Sequence, residues 1–217
     1  MRRLSVLFIG VAIVLVVSQT QAANMIPAGN ISIDQSSNLN GGTLATFTID
    51  GNISTQWLNA GNSEYEPGGD DTPWISFAFD KVYTLDYLVI WNLATHNENG
   101  QGMRFVDIQV SLTGDADSFT SIGVKEFPIA GPGLYSIDPD DPHQIDLGGV
   151  DAKAIKLVVL QNWFGRVFWQ GTSFGANEYP YQTCVGLNEI QFHQSVPEPA
   201  TMSLLALGGL ALLRRKR

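Results

Sequence analysis

Eight consecutive residues, Asp50-Gly51-Asn52-Ile53-Ser54-Thr55-Gln56-Trp57, bring a carboxylate, a turn glycine, amides, two hydroxyls and an indole into one short stretch. Three chemistries suit that set. Asp50-Gly51 can simply turn the chain, because Asp bonds its own backbone and Gly accepts a left-handed conformation. Asn52-Ile53-Ser54, like Asn30-Ile31-Ser32, spells an N-glycan acceptor. The third reading is a calcium loop. Calcium takes six to eight oxygens at about 2.3–2.6 Å from carboxylates, hydroxyls and carbonyls. Asp50 offers the short carboxylate, Gly51 the bend, and Asn52 and Thr55 further oxygens. One acid makes a weak site, so the loop needs a second carboxylate from elsewhere. Glu189, between Leu187 and Ile190 in an otherwise apolar run, is the acid that calls for a partner.

Two longer stretches carry ligand-binding chemistry. Residues 92–104 hold His96, Asn97 and Arg104, and residues 162–182 hold Trp163, Arg166 and Trp169 among further aromatics. Aromatic rings bury the apolar C–H faces of sugars, while amides, Arg and His satisfy the hydroxyls. These six residues are therefore the candidate glycan contacts; the competing reading is that the rings cap the end of a core. Catalytic patterns are missing. The three histidines, His96, His143 and His193, lack metal-ligand spacing, and no Gly-x-Ser-x-Gly elbow occurs. The acids at 138–141 lie in a prolyl turn without the glycine and closing acid of an EF-hand loop. We expect no enzyme activity.

The elements that must position these groups are strands. Residues 73–79, 85–92, 104–112, 119–127, 143–148, 154–161 and 185–193 are rich in branched and aromatic residues and are separated by Gly, Pro, Asp and Asn clusters. Within 104–112, Phe105, Asp107, Gln109 and Ser111 fall on one face, and Val106, Ile108, Val110 and Leu112 on the other. No long helical period interrupts this, which predicts an all-β antiparallel sandwich or jelly roll. Trp57 is expected in the core. Cys184, the single cysteine, cannot form an intrachain disulfide and reads as a small buried hydrophobe.

The two ends read as addresses. Arg2 and Arg3 precede an apolar run and a small-residue site near Ala22, the order of a secretory signal peptide over residues 1–23. At the other end, Val196-Pro197-Glu198-Pro199 is followed by an apolar run from 204 to 213 and the basic cluster 214–217. The run is short for a permanent membrane span, so its membrane contact is expected to be transient. This order resembles the PEP-CTERM sorting tail of Gram-negative bacteria. The resemblance implies processing by an exosortase and delivery to the cell surface or an extracellular polysaccharide matrix. Between the ends, residues 24–40 read as a polar arm and 41–195 as one domain. Without the two leader arginines, the four tail bases and Glu198, six bases remain against 20 acids, a net charge of −14. Such acidity repels phosphate backbones and argues against nucleic acid as a partner.

Taken in order, residues 48–57 (TIDGNISTQW), 73–92, 104–115, 152–163 and 185–192 (VGLNEIQF) resemble the discoidin, or coagulation factor 5/8 type C, family. That resemblance implies a galactose-binding-like jelly-roll sandwich. It also implies one structural Ca2+ joining the early Asp-Gly loop to the late Glu. Asp50 and Glu189 would supply carboxylates and Thr55 a hydroxyl. Phe47, Asn52 and Asn188 would supply backbone carbonyls. The expected function is an exported, non-catalytic module recognising carbohydrate or matrix polysaccharide. The alternative is a structural matrix or surface protein that makes protein contacts through the same loops.

Overall fold

A computed structural model describes residues 24–36, 43–59, 72–93, 99–131, 142–165 and 184–195. Met25–Gln194 form one compact unit; the other comprises Met1–Asn24 and Ser195–Arg217, of which only Asn24 and Ser195 are among the described residues. The expected signal peptide, the sorting motif and the apolar tail thus lie outside them. Among the described residues, no helix is long and apolar enough to cross a membrane.

The described residues form seven antiparallel strands in chain order: β1 (Ile31–Gln35), β2 (Trp57–Leu58), β3 (Trp74–Asn92), β4 (Met103–Ser111), β5 (Thr120–Glu126), β6 (His143–Asn162) and β7 (Gly186–Gln194). The two longest each serve two layers. The first half of β3 pairs with β1 and with the second half of β6, which carries β4 and then β5. The second half of β3 pairs with β7 and with the first half of β6, and β7 carries β2. The change of layer falls at a register shift between Ala78 and Tyr83. A second register shift lies between Leu85 and Tyr87, and opposite it Gly148 and Gly149 adopt φ of +73° and +74°, a region that favours glycine.

The inner faces meet across the core. Phe192 of β7 packs against Phe77 and Phe79 of β3 with ring centroids 4.9 and 5.2 Å away. Ile75, Leu88, Ile90, Val106, Ile108, Leu157 and Val159 are all fully buried around them. Each such side chain contributes about 1.5–3 kcal/mol by leaving water.

Three expectations are corrected. The strands expected at 73–79 and 85–92 are one bent strand, and so are those at 143–148 and 154–161, because a bulge bends a strand without ending its pairing. The polar arm contains an edge strand. In β1, Ile31 and Ile33 pack on the core while Ser32 and Asp34 face outward, and Ile26 just before it is 2 % exposed with its N–H on the Phe192 carbonyl. Finally, Leu112 is not inward-facing: it is 61 % exposed. β4 stops at Ser111, whose buried hydroxyl accepts the N–H groups of Thr113 and Gly114 and turns the chain. Trp57 and Cys184 are buried, as expected.

Candidate functional site

The Asp50 loop begins where a short 3-10 turn, Ala45–Ile49, ends. Thr48 ties that turn by donating its hydroxyl to the Ala45 carbonyl, and the Phe47 N–H donates to the Leu44 carbonyl. Gly51 follows at φ +76°. Asp50 then closes the loop on itself: Oδ1 accepts the Asn52 N–H at 2.8 Å, and Oδ2 accepts the Thr55 hydroxyl at 2.8 Å. The Thr55 hydroxyl also lies 2.7 Å from the Asn52 carbonyl, and Asn52 Oδ1 accepts the Ser54 N–H. The oxygens of Asp50, Asn52 and Thr55 therefore gather inside one curl.

β7 seals this curl through two neighbouring residues. Asn188 is 1 % exposed and donates its side-chain amide to the carbonyls of Ile53 and Thr55, at 2.8 and 3.2 Å. The contact seen for Asn188 is thus through its amide, where a backbone carbonyl was expected to act. Glu189 is 4 % exposed, and its Oε2 has no hydrogen-bond partner among the described residues. Burial pushes its pKa from 4.5 up to about 7; the Gly51 N–H, which donates to the carboxylate, opposes that rise, and the negative charge of Asp50 adds to it.

Two carboxylates held close, one with a buried orphan oxygen, fit a divalent cation. An isolated buried carboxylate is costly, and a metal ion removes that cost. The set is all oxygen, the preference of calcium rather than zinc. Two carboxylates form the anionic part of the set, and no cluster of three or more His, Cys, Asp or Glu occurs among the described residues. For a cation there, the loop's carbonyls and hydroxyl would have to provide the rest.

The other candidate residues divide. His96, Asn97, Arg166 and Trp169 lie outside the described residues. Arg104 and Trp163 are brought together: the Arg104 guanidinium lies 4.6 Å from the Trp163 ring centroid and 4.9 Å from that of Phe105. Its Nε donates to Glu126 at 3.0 Å. The Trp163 indole N–H donates to the Phe127 carbonyl at 3.1 Å. Backbone bonds from Trp163 to Gly102 and from Phe164 to Gly100 lay the two candidate loops side by side. Gly100 allows this, because a Cβ there would run into the Phe164 ring. Beneath them, buried Asn92 bonds Met103 and Pro128. Sequence reasoning missed Glu126 and Phe127, since only the β4–β5 register brings them to this cluster.

Comparison with known proteins agrees with this architecture. The F5/8 type C domain model matches residues 32–172, and the PEP-CTERM protein-sorting motif matches residues 195–217. A search of curated proteins found no match. Among solved structures, CpGH89CBM32-5 from Clostridium perfringens, in complex with GalNAc-β-1,3-galactose, is 17% identical with a TM-score of 0.54, covering 78% of this chain and 99% of that one. The family 32 CBM from C. perfringens NanJ, in complex with galactose, is 14% identical with a TM-score of 0.53, covering 79% and 98%. An F5/8 type C domain from Bacteroides fragilis is 15% identical with a TM-score of 0.56, covering 80% and 97%. At these identities the likeness is one of fold.

Proposed function

This chain belongs to the F5/8 type C domain family, and from that premise we propose that it is an exported, non-catalytic binding module that recognises carbohydrate outside a Gram-negative cell. The observation that carries this reading is the juxtaposition of the 99–103 and 162–165 segments at the Arg104–Trp163 stack. A rigid sandwich presents these loop residues together, the arrangement in which loops carry function. The guanidinium can donate to sugar hydroxyls, and the indole and Phe105 offer apolar surface to C–H faces. Galactose-bearing ligands in the two C. perfringens structures support glycans as the class to test first. The sorting motif supports exosortase processing and delivery to the surface or an extracellular polysaccharide.

The Asp50 loop has a supporting role in this reading. Calcium held by Asp50, Glu189 and Thr55, with carbonyls from Phe47, Asn52 and Asn188 as further donors, would neutralise the buried carboxylate and tie the early loop to β7. Such an ion stabilises the fold because it binds only the folded state.

The test is a glycan array probed with the exported protein in calcium, followed by titration of hits against Trp163→Ala and Arg104→Ala. Saturable binding that both substitutions weaken, with the melting curve preserved, supports the reading. A folded protein that binds no glycan but self-associates through the same loops would favour a structural matrix role.

A further inference from the structure

The outer face of the five-stranded layer carries a cleft on a different surface from the Arg104–Trp163 loops. It is a cavity of about 320 Å³ lined by Ser32 and Asp34 of β1, Trp74 and Ser76 of β3, Lys156 of β6 and Phe119, among others. Small side chains, Ala78 and Ala154, lie along it and leave the depth open. One wall is the turn between β4 and β5, and that turn is fixed from within. The Ser111 hydroxyl meets the Ser118 hydroxyl at 2.5 Å, and Ser118 donates to the Asp115 carbonyl.

The polar groups form a row set by strand register. Asp34 is the partner of Ser76, and Ser76 the partner of Lys156. Adjacent strands are about 4.8 Å apart, so the backbones at Asp34 and Lys156 stand ~10 Å from one another across Ser76. No ion pair joins their side chains: the Arg104–Glu126 pair is the one salt bridge among the described residues. The Lys156 ammonium instead lies 4.1 Å from the Trp74 ring centroid and 5.6 Å from that of Phe119. Asp107 on the neighbouring strand is already engaged by Gln109 and Ser121.

We propose that this cleft is a second saccharide site, taking one hexose unit of a neutral polysaccharide. One acid and one base line it, so the lining balances in charge and suits an uncharged ligand. The carboxylate of Asp34 accepts from a hydroxyl, the ammonium of Lys156 donates to another, Ser76 does either, and Ser32, whose hydroxyl donates to the Ala78 carbonyl, accepts. Trp74 and Phe119 supply apolar surface for its C–H groups. An acidic sugar is disfavoured by Asp34 and by Asp115 and Asp117 in the adjoining turn. The inference does not depend on the loop site.

The experiment follows the indole N–H resonances of the 15N-labelled exported protein. Its probes are β-1,4-linked hexasaccharides of glucose, mannose and N-acetylglucosamine, and a galacturonate hexasaccharide. The expected result is a saturable shift of the Trp74 indole with at least one neutral probe and none with galacturonate. Lys156→Gln should weaken that binding about tenfold or more while leaving the melting curve in place. Four results overturn the proposal: no neutral probe moves Trp74; galacturonate binds in preference; Lys156→Gln binds as well as the parent; or Trp163 alone responds. The last would leave the loop reading standing and remove the cleft. A Trp74 response without a Trp163 response would do the reverse.

Discussion

The Glu189 carboxylate is buried at the edge of the Asp50 loop, held by the Gly51 N–H and repelled by the Asp50 charge. A single position in β7 thus brings a second, protonatable carboxylate to the early loop. The neighbouring Asn188 bonds the same loop from the side, so β7 both orients the loop and supplies its second charge.

Millimolar calcium should raise the melting temperature of the parent over that in chelator, and Glu189→Gln should abolish the increment. A ligand at a hundredfold excess over its Kd stabilises a fold by about 2.7 kcal/mol, which a melting curve resolves readily. Without calcium the order should invert. A neutral amide escapes the burial and repulsion that act on Glu189, so the variant should match or exceed the parent. Equal melting of the parent with and without calcium would remove the metal from this site.

The pH dependence has a definite sign. Glu189 titrates near 7 in the metal-free fold and near 4.5 when unfolded, so the folded state holds the extra proton between those values. Stability attributable to this group is full below about 4.5 and falls as pH rises toward 7, by an amount on the order of a few kcal/mol. Calcium must displace that proton, so the calcium-induced shift in melting temperature should grow from pH 5 to pH 8. Chemical denaturation across this range, with and without calcium, measures both slopes. A calcium increment independent of pH would contradict the assignment of Glu189.

Asn188→Ala should cost about 1–3 kcal/mol, because it leaves the Ile53 and Thr55 carbonyls without their buried donor. It should also weaken calcium binding, since the loop loses its lateral support. Urea unfolding and a calcium titration separate the two effects. A loss of stability with unchanged calcium affinity would show that the amide does not position the loop for the ion.

How much of this could be read along the chain depended on whether a signal was local. Glu189 stood out because an acid interrupts an apolar run, and the Asp50 loop because its oxygens are adjacent in sequence. Trp57 was legible as core for the same reason. Long-range register was not. The row Asp34–Ser76–Lys156 joins residues from three strands, and only the pairings of β1, β3 and β6 align them. The bends that make β3 and β6 serve two layers were hidden too, because the gaps at 80–84 and 149–153 look in sequence like the ends of separate strands. β1 hides within the polar arm because five residues with two isoleucines carry a weak alternation that becomes a strand only on the edge of β3.

Gly186→Ala should destabilise the domain through the β2–β7 contact. A Cβ at Gly186 would collide with the Trp57 carbonyl oxygen and press on Leu58 and Leu93. The neighbour is backbone on one side and fully buried core on the other, so little can move. Overpacking of this kind costs about 1–3 kcal/mol. Because Trp57 ends the Asp50 loop, the substitution should lower calcium affinity together with the melting temperature. An unperturbed melting curve would show that β2 is free to shift.

His193 offers a pH effect of opposite sign. It stacks on Tyr87 with ring centroids 4.4 Å apart, and both of its ring nitrogens are buried without a hydrogen-bond partner among the described residues. Burial lowers its pKa from the ordinary histidine range, because the charged ring would lose its hydration. The unfolded chain therefore takes up the proton first as pH falls. Stability attributable to His193 is full above about 6.5 and is lost as pH drops toward its lowered folded pKa. His193→Phe keeps an aromatic stack and cannot be protonated, so it should flatten the acid side of the stability profile while leaving the neutral side in place. The profile is best measured with Glu189→Gln as background, which removes the opposing slope. If the acid side is unchanged in that double variant, protonation of His193 is not what destabilises the fold at low pH.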